Sequence, residues 1–229
     1  RILATWDETG GLASAAGAAT APGAEVIEDE PCDDMMALES PAMLGELSAG
    51  QARCLDARIG AERLQTTKDS VSRLLLVNAQ AAGDRGEWER LMVRHLEDID
   101  RSDPDLCFSY AIHLHKTRDL DNAEEAVRRA DVALENKQRW EGEAHVKRVY
   151  ALLRLRAEAG NRLWLDAEKR YQKEPTGDND ADVRDYRGLA KDTAREWLDY
   201  ARAAGQSEDT PYKLCMSAAG TREFCMPPR

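Results

Sequence analysis

Residues 70–100 read SVSRLLLVNAQAAGDRGEWERLMVRHLEDID, and this stretch decides the fold class. Val71, Leu74, Leu75, Asn78, Ala79 and Ala82 recur at i, i+3, i+4, i+7 and i+8, which draws one stripe along a helix that ends at Gly83. Trp88, Leu91, Met92, His95, Leu96 and Ile99 repeat the spacing before Pro104. Two antiparallel helices joined by a turn through Gly83 to Gly86 are therefore predicted. No segment of the chain alternates with period two, so strands are not expected.

The pattern extends in both directions. Downstream it runs through Leu106, Cys107, Tyr110, Ala111 and Leu114, then Ala123, Val127, Ala130 and Leu134. After Trp140 a stripe from Ala144 to Ala157 reads as closed by Gly160, and Leu163, Trp164, Ala167 and Tyr171 form the next before Pro175. Tyr186, Leu189, Ala190, Ala194, Trp197 and Ala201 complete the series, closed by Gly205. With an earlier helix from Ser48 to Arg63, residues 45–205 are expected to be all α, in about eight helices.

The turn Gly86-Glu87-Trp88, followed by Leu91 and His95, returns one unit later as Arg118-Asp119-Leu120 with Ala123 and Val127. This resembles the tetratricopeptide repeat, whose unit is about 34 residues. Gly86, Trp88, Pro104, Ala111, Ala123 and Ala130 fall at or within one residue of family positions. Leu91 departs from the small residue of the family and Arg118 from its turn glycine. The resemblance covers residues 71–135 well and 139–174 loosely. It implies antiparallel hairpins stacked as an α-solenoid, with a generic helical bundle as the alternative.

Charge divides the chain differently. The net charge is −11, yet Arg1 is the sole cation of the first fifty residues, which hold ten of the 43 Asp and Glu. Gly10 to Ala24 is almost all Gly, Ala, Ser, Thr and Pro, a composition that buries too little surface to order itself. Residues 1–40 are thus read as a flexible acidic arm, 41–205 as the helical-repeat domain and 206–229 as a C-terminal tail. Such acidity disfavours nucleic acid as a partner. No apolar run approaches the roughly 20 residues of a membrane span.

Five cysteines bear on the compartment. Cys215 and Cys225 are expected to close the tail with a disulfide, which implies an oxidising, extracytoplasmic setting, periplasmic or associated with the outer membrane, with the cytoplasm as the alternative. Cys54 and Cys107 lie among apolar helical positions and read as plain buried residues, and a Cys32–Cys54 bridge stays open. The layout of arm, degenerate hairpins and two-cysteine tail is similar to secreted or lipid-anchored helical-repeat proteins of envelope-rich gliding bacteria. An Ala/Gly/Pro tether of this kind is common just after a signal or lipid-anchor site in envelope proteins, which allows for such a segment upstream of Arg1, although cytosolic linkers look the same.

Motifs for chemistry are missing or incomplete. There is no phosphate loop, nucleophile elbow or paired-histidine zinc helix. His113 and His115, two apart, diverge on a helix and read as solvated; His95, on an apolar stripe, reads as a hydrogen-bonded core residue. Asp178, Asp180 and Asp182 open like a calcium loop, but Val183 and Leu189 occupy its glycine and glutamate positions, leaving a solvated loop. Asp103 or Asp105 should cap the helix at Pro104. No cofactor and no metal site are expected.

Function is then expected on a surface. The chain reads as a non-catalytic scaffold or adaptor in a bacterial envelope assembly, such as a motility, secretion or surface complex. Its partner would be another protein or peptide, held in a groove lined by the first helix of each pair. Asn78, Tyr110, Lys116, Arg148 and Arg154 are the candidate contacts, the basic ones suited to an acidic peptide. The alternatives are a helical enzyme or binding protein acting on an envelope polymer, and a structural subunit of a large assembly.

Overall fold

The computed structural model describes residues 31–140 and 143–226, and every regular element among them is helical. The chain divides into two compact units, Arg1–Asp100 and Arg101–Arg229.

In the first unit α1 (Met35–Leu44), α2 (Ala49–Ala61) and α4 (Arg85–Arg94) each pack on α3 (Gln65–Ala81). The start of α2 follows from local chemistry, since Ser48 and Gln51 each bond the other's backbone N–H, at 3.0 and 3.1 Å. Val71, Leu74, Leu75 and Ala79 of the predicted stripe are buried, with Leu55, Ile59, Trp88, Leu91 and Met92 around them. Gly45 has φ 74°, and a Cβ there would lie 2.5 Å from the backbone N of Ala82, so glycine alone fits the join of α1 to the end of α3. Beyond Arg94 the helix widens into a π turn, His95–Ile99. His95 and Leu96, adjacent in sequence, are both fully buried as a result.

The acidic arm gives way earlier than its composition suggests. The boundary drawn at residue 40 falls inside α1, which Asp34 caps by accepting from Ala37 N at 3.2 Å and which runs through Pro41. Cys32 is buried and pairs with Cys54 of α2 at disulfide-bonding distance, with Cα atoms 5.9 Å apart. Cys54 is therefore a crosslink rather than a plain buried residue, whereas the buried Cys107 belongs to neither disulfide. The Gly10–Ala24 tether lies outside the described residues.

In the second unit α5 (Pro104–Thr117), α6 (Asp121–Glu135), α7 (Glu143–Lys173), α8 (Gly177–Ala203) and α9 (Asp209–Ala219) each pack on the next, and the short α10 (Arg222–Cys225) lies on α8 and α9. Asp103 caps α5, its Oδ1 accepting from Asp105 N and Leu106 N at 2.9 and 3.0 Å. Small residues set the spacing: Ala123, Ala126, Ala130 and Ala133 of α6 are wholly buried, and Ala123 and Val127 meet Ala159 and Leu163 of α7 with Tyr186 and Leu189 of α8. Arg156 of α7 holds Asp131 of α6 (2.6 Å) and Glu196 of α8, tying the three helices by charge as well.

Two expected breaks are absent. Gly160 does not end a helix; α7 runs through it for 31 residues. A Cβ on Gly160 would lie 3.3 Å from Ala190 Cα and 3.4 Å from Thr193 Oγ1, so the glycine marks the close approach of α8. Asp178, Asp180 and Asp182 belong to α8 rather than to a loop, with Thr176 as its cap and two of the three in its first turn, where the helix dipole favours them. The tail is likewise helical. Cys215 of α9 and Cys225 of α10 pair at disulfide-bonding distance, as expected, with Cα atoms 6.0 Å apart.

Candidate functional site

Helix α7 carries Arg154, Glu158 and Arg162 at four-residue intervals, which puts all three on one face. The end of α5 brings His115 to that face. Glu158 accepts from Arg154 Nε at 2.7 Å through one oxygen and from His115 Nε2 at 3.0 Å through the other. Arg162 Nη2 stands 2.9 Å from His115 Nδ1. A guanidinium can only donate, so Nδ1 accepts and Nε2 carries the hydrogen given to Glu158. The imidazole is thereby fixed in one tautomer, between a cation and an anion.

Burial works against the charge on Glu158, but the hydrogen bonds from His115 and Arg154 prevail and hold its carboxyl below the usual range. Arg162 is pushed below its ordinary value by burial; the Glu158 charge opposes this and the nearby Arg118 charge adds to it. The Nε of Arg162 is buried with no hydrogen-bond partner among the described residues. Arg118 stands just past the end of α5 with φ 58°, a left-handed backbone that costs a non-glycine residue about 1 kcal/mol. Its side chain is exposed and makes no hydrogen bond or ion pair with the described residues. Arg154 directly, and Arg162 through His115, thus converge on the Glu158 carboxylate of a chain of net charge −11.

The five residues expected to line a groove fall in different settings. Arg154 belongs to the cluster, 57% exposed, and Lys116, next to His115, is also exposed. Asn78 is half-buried in the first unit, where its Oδ1 accepts from Leu47 N at 3.1 Å and fastens the α1–α2 connection to α3. Tyr110 is buried, with the Arg129 guanidinium 5.9 Å from its ring. Arg148 bonds Asp105 and lies 5.4 and 5.5 Å from the rings of Trp140 and Phe108, an internal clamp. His115 was expected to be solvated, but its half-buried ring is pinned at both nitrogens. The helix spacing of Arg154, Glu158 and Arg162 was legible in the sequence, whereas their meeting with His115 depends on the packing of α5 against α7.

A second histidine network has the composition of a catalytic triad without its access. Ser72 Oγ lies 3.0 Å from His95 Nδ1, and His95 Nε2 lies 3.5 Å from Asp69. Ser72 and His95 are 1% and 0% exposed, so no substrate carbonyl reaches the hydroxyl. The expected role of His95 as a hydrogen-bonded core residue is what the structure shows.

No family model, curated protein or solved structure matches the chain. Among the described residues, no helix is long and apolar enough to cross a membrane.

Proposed function

We propose that the protein is a non-catalytic adaptor that holds an acidic segment of another protein on the face shared by α5 and α7. One observation carries this reading: Arg154 and, through His115, Arg162 converge on the carboxylate of Glu158 on an otherwise acidic chain. A positively charged face on such a chain favours encounter with acidic ligands over basic ones. The successive packing of α5, α6, α7 and α8 agrees with a degenerate tetratricopeptide-like array, a fold that works through its surface. Two cysteine pairs support an oxidising, extracytoplasmic compartment, and an envelope assembly is the setting we favour.

The test is fluorescence anisotropy with a labelled glutamate-rich peptide and the full chain. Reversing both Lys116 and Arg154 to Glu should weaken binding about tenfold or more while leaving the melting temperature nearly unchanged, since both side chains are exposed. Equal binding by the double variant contradicts the assignment. A structural-subunit reading draws on a separate feature: Met36, Met43 and Leu44 of α1 are 82%, 52% and 63% exposed. Sedimentation showing self-association that is lost on changing Met36 and Met43 to Glu would favour it.

A further inference from the structure

Helix α1 is apolar on both sides. It packs on α3 and buries Leu38 and Ala42, yet Met36, Ser40, Met43 and Leu44, spaced i, i+4, i+7 and i+8, form a second stripe whose large side chains stay open to solvent. A helix of 10 residues with two buried side chains is marginal by itself, but this one is fastened at both ends. Ahead of it Cys32 pairs with Cys54, and the Cys32 carbonyl accepts from Arg58 Nη1 at 3.1 Å. Behind it Gly45 N donates to Ala42 O at 3.1 Å, Glu46 N to Pro41 O at 2.9 Å and Leu47 N to Asn78 Oδ1 at 3.1 Å. An exposed apolar face is thus held in place, which lowers the ordering cost of covering it.

Charge says what would cover it. Asp33, Asp34, Glu39 and Glu46 are exposed on α1 and its flanks, and residues 32–52 hold no Lys or Arg. We propose that the outer face of α1 docks an amphipathic helix of a partner protein, with an apolar stripe bordered by Lys or Arg. The unbranched, polarizable Met36 and Met43 adapt to such a stripe. The occupants this chain could supply carry the wrong sign. A second α1 would set the same carboxylates against each other, and residues 1–30 hold Arg1 as their sole cation beside six Asp and Glu. The proposal goes beyond the reading of α5 and α7 and does not rest on it.

The experiment titrates the full chain with a designed helical peptide that carries Leu along one face and Lys on either side, read by fluorescence anisotropy and amide chemical shifts. Saturable binding is expected, with shifts centred on residues 36–47. Met36→Gln with Met43→Gln removes apolar contact without changing charge and should weaken binding about tenfold or more. Its melting temperature should stay nearly unchanged, since both side chains are exposed. Glu39→Gln should weaken binding by about threefold, the scale of one exposed ion pair. Two control peptides separate docking from general attraction to a chain of net charge −11. With Glu in place of Lys the peptide should bind about tenfold weaker or less, and with Ala in place of Leu it should leave residues 36–47 unshifted. Equal binding by the methionine double variant, equal binding of the Glu peptide, or shifts not centred on α1 overturns the proposal. Self-association of the peptide-free chain, lost in the same double variant, overturns it in favour of a second copy. Nuclear Overhauser contacts from the Met36 and Met43 methyl groups to residues 1–30 overturn it in favour of the chain's own segment.

Discussion

Two regions of the second unit are rich in basic side chains, and they use them in opposite ways. On α8, Arg187 donates to Ala218 O at 2.9 Å, Arg195 to Phe224 O, and Arg202 to Cys225 O at 3.1 Å. Lys191 and Arg195 also stand 4.8 and 5.7 Å from the Phe224 ring. These cations satisfy carbonyls at the ends of α9 and α10, which lack helical partners and carry the negative end of the dipole. On the face where α7 meets the end of α5, Arg154 and Arg162 meet one carboxylate, Glu158, and one imidazole, His115. Charge count therefore does not distinguish a binding face from a structural one; what matters is whether the chain itself already supplies the anions.

The largest expected effect breaks the contrast from the α8 side. Replacing Cys215 and Cys225 by Ser should lower stability by about 3 kcal/mol, the loop-closure value for so short a link. Urea denaturation measures the loss. With α10 released, the α8 cations should also give a second, weaker site for the acidic peptide, seen as a change in stoichiometry by calorimetry.

A smaller effect sharpens the α5–α7 side. Arg118→Gly should stabilise the chain by about 1 kcal/mol in anion-free urea denaturation, since the backbone there is left-handed. By contrast, the same change at an ordinary helical position would destabilise by a similar amount. A loss of stability would show that the Arg118 side chain serves the fold.

The pH dependence gives the smallest effect. The carboxyl of Glu158 lies below the ordinary value of 4.5, so its contribution is complete above that value and is lost as pH falls through the lower folded one. Stability measured between about pH 3 and about pH 6 should therefore fall less steeply with acid in Glu158→Gln than in the natural chain. Asp131 moves the other way: burial raises it, with Arg156 opposing and Glu196 and Glu135 adding, and its contribution is lost as pH rises. The comparison with Glu158→Gln, rather than the natural profile alone, isolates Glu158. An identical acid limb in both proteins would contradict the shift.

Legibility followed the range of the interaction. The stripes of α3 and α4, the start of α2 near Ser48, the cap at Asp103 and the burial of His95 are set by near neighbours, and the sequence shows them. Gly160 was read as a stop because a glycine that ends a helix and one that admits a neighbouring helix look alike until Ala190 and Thr193 are seen against it. Cys54 was read as plain because its partner lies ahead of α1, in a stretch whose acidic composition suggested no structure. The site was half visible: the four-residue rhythm of Arg154, Glu158 and Arg162 is local, while His115 joins them only when the end of α5 meets α7.

The most direct test of the adaptor face is to map a glutamate-rich peptide onto the full chain by amide and guanidinium chemical shifts. Perturbations concentrated at residues 115–120 and on α7 from Arg154 to Arg162, with Arg187, Arg195 and Arg202 unmoved, are the predicted result. Perturbations centred on the α8 cations, or none at saturating peptide, would contradict it.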